Sequence, residues 1–173
     1  MPNLPCADVP DGIDETQNVE LWKRGVARSF DFEIRDHTQI AEITDTIDFK
    51  RAAKVSGSRF AFLKGNGSFL NRALMNYFID YHLTQGDIEL TPPYLVHAES
   101  LRGTGQFPKF KEDVFEIPVN ENPLYLIPTA EVPVTNYFAD EILQESDLPL
   151  RFCAYSMCFR AEAGAAGRDT KGF

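Results

Sequence analysis

The most sustained pattern along the chain is helical. Phe69, Leu70, Ala73, Leu74, Tyr77, Phe78 and Tyr81 recur at the three- and four-residue spacing that gathers side chains on one face of an α-helix. Ser68 stands where an N-cap hydroxyl would accept from a first-turn amide, and Gly86 stands where a left-handed residue would end the helix. The pattern predicts a helix from Ser68 to just before Gly86, with a broad apolar face that needs a large surface to pack on. A second period at Val134, Phe138 and Ile142 predicts a helix over residues 132–144, with Pro133 accommodated in the first turn, where its missing N–H costs nothing.

Elsewhere the period shortens. RFAFLKG, residues 59–65, reads as a strand of alternating bulk, FEIPV and LYLIP as short strands, and TQIAEITDTIDFKRAAKVSGSRF as one or two short helices with loops. DIELTPPYLV is an extended run whose Pro92 and Pro93 cannot donate to a sheet ladder, which predicts an edge strand or an interface element. RGTGQFPKFKEDVFEI places Gly103, Gly105 and Pro108 in a loop. Residues 1–25 are rich in Pro and Asp without a period and read as an irregular lead-in, leaving 26–173 as the folded body. Helices interspersed with short strands predict an α+β fold, with helices on one face of a mainly antiparallel sheet.

Charge narrows the functional classes. With 17 Lys and Arg against 26 Asp and Glu among 173 residues, the formal charge of -9 opposes a chain built mainly to grip nucleic acid, since phosphate binding needs clustered cations. A local basic patch is still compatible with it. The cysteines number three, Cys6, Cys153 and Cys158, with no signal-peptide pattern and no apolar run long enough to cross a membrane. This is the pattern of a cytosolic protein with reduced thiols. His37, His82 and His97 are far apart, and no metal-ligand spacing occurs.

The candidate chemistry lies in FCAYSMCFRAEAGAAGRDTKGF, residues 152–173. Alternation along a strand puts Cys153, Tyr155, Met157 and Phe159 on one face and Ala154, Ser156, Cys158, Arg160 and Glu162 on the other. Two readings stay open. The charges at the end of the small-residue face form a solvated pair of little energetic weight, or the face is a platform on which Arg160 grips a carboxylate or phosphate while Glu162 accepts from an amine. The glycine-rich loop that follows lacks the spacing of a P-loop, and the fragments KGNG and GTGQ carry almost no specificity. In IPTAEVP, Thr129 and Glu131 are either helix-capping residues or, if the segment is extended, neighbours that share a cationic amine; the capping box needs an offset of three, and theirs is two. Cys153 and Cys158 fall on opposite faces, as small buried hydrophobes rather than a redox pair.

Taken in order, these stretches resemble the seryl-tRNA synthetases, a family of class II aminoacyl-tRNA synthetases. GDIELTPPYLV is similar to motif 1, with Gly86 followed seven residues later by Pro93, and LRGTGQFPKF to the loop after it. LIPTAEVPVTN resembles the serine-binding TxE segment, and FRAEAGAAGRDTKGF the first strand and loop of motif 2. The resemblance covers nearly the whole chain from Asn3 onward.

The resemblance implies a class II synthetase-like antiparallel sheet flanked by helices, here incomplete, and a chain that activates serine with ATP to seryl-adenylate and transfers it to tRNA(Ser). It implies that Arg160 is catalytic, bridging the α-phosphate of ATP and the serine carboxylate, that Arg160, Ala161 and Glu162 bind ATP, with Glu162 on the adenine amino group, and that Thr129, Ala130 and Glu131 hold the α-ammonium of serine. It further implies a cytoplasmic homodimer with the long helix, Gly86 and Pro93 at or near the interface, and Mg²⁺ ligands beyond residue 173. Asp87 departs from the family pattern, standing where motif 1 usually has an aromatic residue. The expectation is a piece of the enzyme, inactive by itself; the alternatives are a truncated, non-catalytic binding or dimerising module and an amino acid:carrier-protein ligase.

Overall fold

The computed structural model describes residue 4 and residues 6–119 and 121–161. The chain divides into two compact units, Met1–Asp36 and His37–Phe173. Among its described residues the first is irregular except for a 3₁₀ turn at Glu15–Gln17. Asp14 caps that turn by accepting from the Thr16 hydroxyl and amide, which holds its carboxyl below the usual range.

The second unit opens with α1 (His37–Thr44), β1 (Ile47–Asp48), α2 (Phe49–Ser56) and β2 (Phe62–Leu63), with β1 and β2 antiparallel. Asp48 caps α2 by accepting from the Arg51 amide, 2.8 Å, and from its guanidinium. The strand expected over 59–65 contracts to two residues because Arg59 and Gly65, with φ of 74° and 53°, break the extended chain on both sides.

α3 runs Asn66–Thr84, starting two residues ahead of the expected Ser68 cap. Gly65 leads into it, and Gly67 lies so close to Thr46 that a Cβ there would sit 2.6 Å from the Thr46 carbonyl oxygen. That close approach, available only to glycine, fixes where the helix begins and leaves Ser68 inside the first turn. Its C-terminus follows expectation: Gly86 has φ 83°, and the Asp87 amide returns to His82 O at 3.2 Å. The Asp87 carboxylate then lies between His82 Nδ1, 2.8 Å, and Arg151 Nε, 3.4 Å. An ionic tie thus occupies the position where motif 1 usually has an aromatic residue.

β3 (Ile88–Leu90) pairs in parallel with β7 (Phe152–Ala154), Ile88 opposite Phe152. Pro92 and Pro93 fall in the break before β4 (Leu95–Val96), so neither ladder needs their amides. β4 pairs antiparallel with β6 (Leu124–Leu126), which pairs antiparallel with β5 (Glu116–Ile117). α4 (Ala98–Gly103) and α5 (Glu131–Thr135) complete the unit. The expected α+β class with mainly antiparallel pairing is observed, and the β3–β7 pair adds a parallel element.

The core gathers around the three-stranded sheet: Val96, Leu101, Phe107, Val114, Tyr125, Ile127 and Val132, with Leu101, Ile127 and Val132 at 0% exposure. Tyr125 packs edge-on against Phe107, 5.1 Å between centroids, and its hydroxyl donates to Glu116 Oε2 at 3.0 Å. Burial, reinforced by that carboxylate, pushes its pKa up.

The second helix is shorter than the pattern over 132–144 predicts. It ends at Thr135, passes into a 3₁₀ turn at Asn136–Phe138, and leaves Ile142 95% exposed. The Asn136 side chain donates to Val132 O at 2.8 Å, and Asp140 adopts φ 62°, so side-chain bonding and a left-handed residue end the helix that the apolar period would continue.

Leu101→Ala should lower unfolding free energy in urea by about 3 kcal/mol, whereas Ile142→Ala should leave it within about 0.5 kcal/mol. The Cys153 thiol is pushed up by burial first and then by the Asp87 and Glu89 carboxylates, while Cys158 is exposed. Timed alkylation of the native protein at mildly alkaline pH, read by mass spectrometry, should modify Cys158 well before Cys153.

Candidate functional site

The chain beyond β7 stays tied to the three-stranded sheet without forming a regular ladder. The Phe159 amide donates to Ile127 O and the Ala161 amide to Asp113 O, both at 2.9 Å. Phe159 contacts Tyr94, ring centroids 6.5 Å apart. The Arg160 side chain lies with its Nε donating to Pro128 O at 3.1 Å. That bond fixes the guanidinium through one nitrogen and leaves both terminal nitrogens for another acceptor.

Arg160 lines a cleft of about 250 Å³ together with Gln106, Phe110, Asp113, Val114, Pro128 and Thr129. A cavity of that size takes part of a nucleotide or a small amino acid. Thr129 accepts the Glu131 amide on its hydroxyl oxygen at 3.3 Å and the Val132 amide on its carbonyl at 3.3 Å, which leaves its own hydroxyl proton able to donate. Two of the site residues expected from the sequence, Arg160 and Thr129, therefore share one cleft, although they are 31 positions apart.

The other expected residues are placed differently. Ala130 is half-buried in helical geometry, φ -61° and ψ -21°, so the segment is a helix start and not the extended strand on which Thr129 and Glu131 would lie side by side. Glu131 is exposed at the first position of α5 and is not among the residues lining the cleft. The Thr129 hydroxyl accepts the Glu131 amide beside the helix start, while Ala130, the N-cap residue, has no side-chain cap bond. Ala161 is exposed, and Glu162 lies outside the described residues. Gly86 ends α3, and Pro93 lies exposed between β3 and β4. The alternating face expected over 152–162 holds as a ladder only through Ala154; Tyr155 and Met157 are exposed rather than packed.

Sequence reasoning passed over Gln106, Phe110, Asp113 and Val114 as cleft residues. The signal available was the GTGQFPKF stretch, which is uninformative as a glycine pattern and meaningful only in its order between the other segments. Gln106 Oε1 accepts from the Thr104 hydroxyl, and Lys109 Nζ sits 4.9 Å from the Phe110 ring centroid. Among the described residues no group of three or more His, Cys, Asp or Glu comes together to hold a metal ion, and no helix is long and apolar enough to cross a membrane.

Comparison with known proteins bears on this geometry. Residues 114–173 match the family described as the tRNA synthetase class II core domain (G, H, P, S and T). The serine–tRNA ligase of Desulfitobacterium hafniense (strain DCB-2) is 54% identical over 172 residues, covering 99% of this chain and 40% of the relative. That of Geobacillus sp. (strain WCH70) is 56% identical over 173 residues, with the same coverage of 99% and 40%. The chain thus spans about 40% of the length of the curated relatives it matches. The crystal structure of seryl-tRNA synthetase from Pyrococcus horikoshii complexed with ATP superposes with a TM-score of 0.75 at 43% identity, covering 83% of this chain and 32% of that one. The cytoplasmic serine–tRNA ligase of Naegleria fowleri, in complex with AMP, superposes with a TM-score of 0.72 at 31% identity, covering 78% and 31%. Sequence identity above one half over nearly the whole chain, and the same fold in solved synthetases, agree with the order of the motifs: the chain belongs to the seryl-tRNA synthetase family of class II aminoacyl-tRNA synthetases.

Proposed function

We propose that the protein is a serine–tRNA ligase, which activates serine with ATP and transfers the seryl group to tRNA(Ser). The observation that carries the reading is the Arg160 guanidinium, anchored by Nε to Pro128 O at 3.1 Å, in a cleft that Thr129 also lines. Its free terminal nitrogens bridge the α-phosphate of ATP and the serine carboxylate, screening their repulsion as the carboxylate attacks phosphorus in line and pyrophosphate leaves. The seryl group then passes from adenylate to a hydroxyl of the terminal ribose of the tRNA, with AMP leaving. Thr129, Ala130 and Glu131 receive the serine α-ammonium, a role that requires the Glu131 carboxylate to turn from solvent toward the cleft. Ala161 and Glu162 serve the adenine, Glu162 by accepting from its amino group. Mg²⁺ would be held chiefly by the phosphates of ATP with one or two carboxylates; among the described residues no group of three or more His, Cys, Asp or Glu comes together.

The same reading makes the protein a homodimer. α3 has no buried residue, and Leu70, Leu74, Phe78 and Tyr81 lie exposed along one stripe, Phe78 at 57%. A helix with an uncovered apolar face calls for a partner surface, and Gly86 and Pro93 sit at the end of this one and beyond the strand after it. The free Cys6, Cys153 and Cys158 accord with a reducing cytoplasm.

In the full-length protein, Arg160→Ala should lower serine-dependent pyrophosphate exchange about a hundredfold or more, roughly 3 kcal/mol of transition-state stabilisation; near-normal exchange would contradict the assignment. Phe78→Glu should shift the full-length protein from dimer toward monomer in sedimentation, and an unchanged dimer would remove α3 from the interface.

A further inference from the structure

We propose that Asn136 is a positioning residue for the amino-acid side of the cleft, and that Gly103 is glycine in order to admit it. This role rests on the reading of the cleft as the serine site. Asn136 Nδ2 donates to Ser100 O in α4 at 3.0 Å and to Val132 O in α5 at 2.8 Å. Both acceptors are carbonyls, so both bonds must come from the amide nitrogen. One side chain therefore pins two helices that are separated by 36 positions at the Ser100 bond.

Each pinned helix leads to a wall of the cleft. On the α5 side, the turn closed by Asn136 contains Val132, whose amide donates to Thr129 O, and Thr129 lines the cleft. On the α4 side, Ser100 O also accepts from the Thr104 amide at 3.3 Å, and the Thr104 hydroxyl lies within reach of both Ser100 O and Gln106 Oε1. Gln106 lines the same cleft. The spacing of Thr129 from Gln106 is thus set through Asn136, which is not among the residues that line the cleft.

Gly103 completes the device. A Cβ on Gly103 would lie 2.9 Å from Asn136 Oδ1, and its three nearest atoms would all belong to Asn136. A short side chain held by two hydrogen bonds cannot swing away without breaking them, so any larger residue at 103 would push α4 and α5 apart.

The test uses full-length protein and measures serine and ATP dependence of pyrophosphate exchange, together with thermal unfolding midpoints, for wild type, Asn136→Ala, Gly103→Ala and the double variant. Asn136→Ala should raise the serine KM about tenfold with the ATP KM changed less than about twofold, since small misplacements of a wall cost affinity on that wall. Gly103→Ala should reproduce the split, and the double variant should be no worse than Asn136→Ala, because the clash disappears with the amide. Serine and ATP KM values that rise together, that both stay at the wild-type level, or whose changes add in the double variant would overturn the proposal. If Asn136→Ala does not fold, Gly103→Ala decides, since it removes no hydrogen-bonding group. Wild-type protein without serine-dependent exchange would overturn the reading of the site and this role with it, while non-additive unfolding midpoints would still show the two residues coupled.

Discussion

The candidate site depends on a hydrogen bond between a charged side chain and a main-chain carbonyl, Arg160 Nε to Pro128 O. An arginine on an irregular segment has many rotamers, and fixing it costs side-chain entropy of the order of 2 kcal/mol. Here the carbonyl that holds it belongs to the residue before Thr129, so the cation and the hydroxyl are positioned by the same few atoms of backbone. Phe159, bonded through its amide to Ile127 and packed against Tyr94, keeps the neighbouring residue in register. Ile127, fully buried, joins that register to the core. The cleft is thereby tied to the best-packed part of the chain.

Apolar side chains are unevenly used. Seven of the described residues make the core around the three-stranded sheet, whereas α3, the longest helix described, buries none of its own. The unit around the cleft therefore carries its own packing, and α3 is held mainly at its ends, by Gly67 against Thr46 and by Asp87 between His82 and Arg151. Among the described residues its long apolar face lies uncovered.

What could be read in the sequence followed from which forces act locally. The period of α3, its stop at Gly86 and the short strands at Glu116–Ile117 and Leu124–Leu126 were legible because spacing and glycine conformation are properties of a few neighbouring residues. The start of α3 was not, because Gly67 answers to Thr46, a contact no local pattern records. The helix over 132–144 stopped early because Asn136 bonds sideways to Ser100 as well as back to Val132. At the site, the sequence singled out Arg160 from its place at the end of a small-residue face and Thr129 from its segment, and folding puts both on one cleft. The extended alternative for Thr129 and Glu131 fails because Ala130 is helical, and Gln106 was missed because only tertiary folding brings its loop to the cleft that Thr129 lines.

The central claim is that Arg160, held at Pro128, presents its terminal nitrogens to an adenylate lying in the cleft beside Thr129. A crystal structure of the full-length protein with a non-hydrolysable seryl-adenylate analogue tests it most directly. The account predicts the analogue between Gln106 and Thr129, its phosphate on the terminal nitrogens of Arg160 and the bond from Nε to Pro128 O retained. An analogue bound elsewhere, or an Arg160 side chain turned out of the cleft, would contradict it.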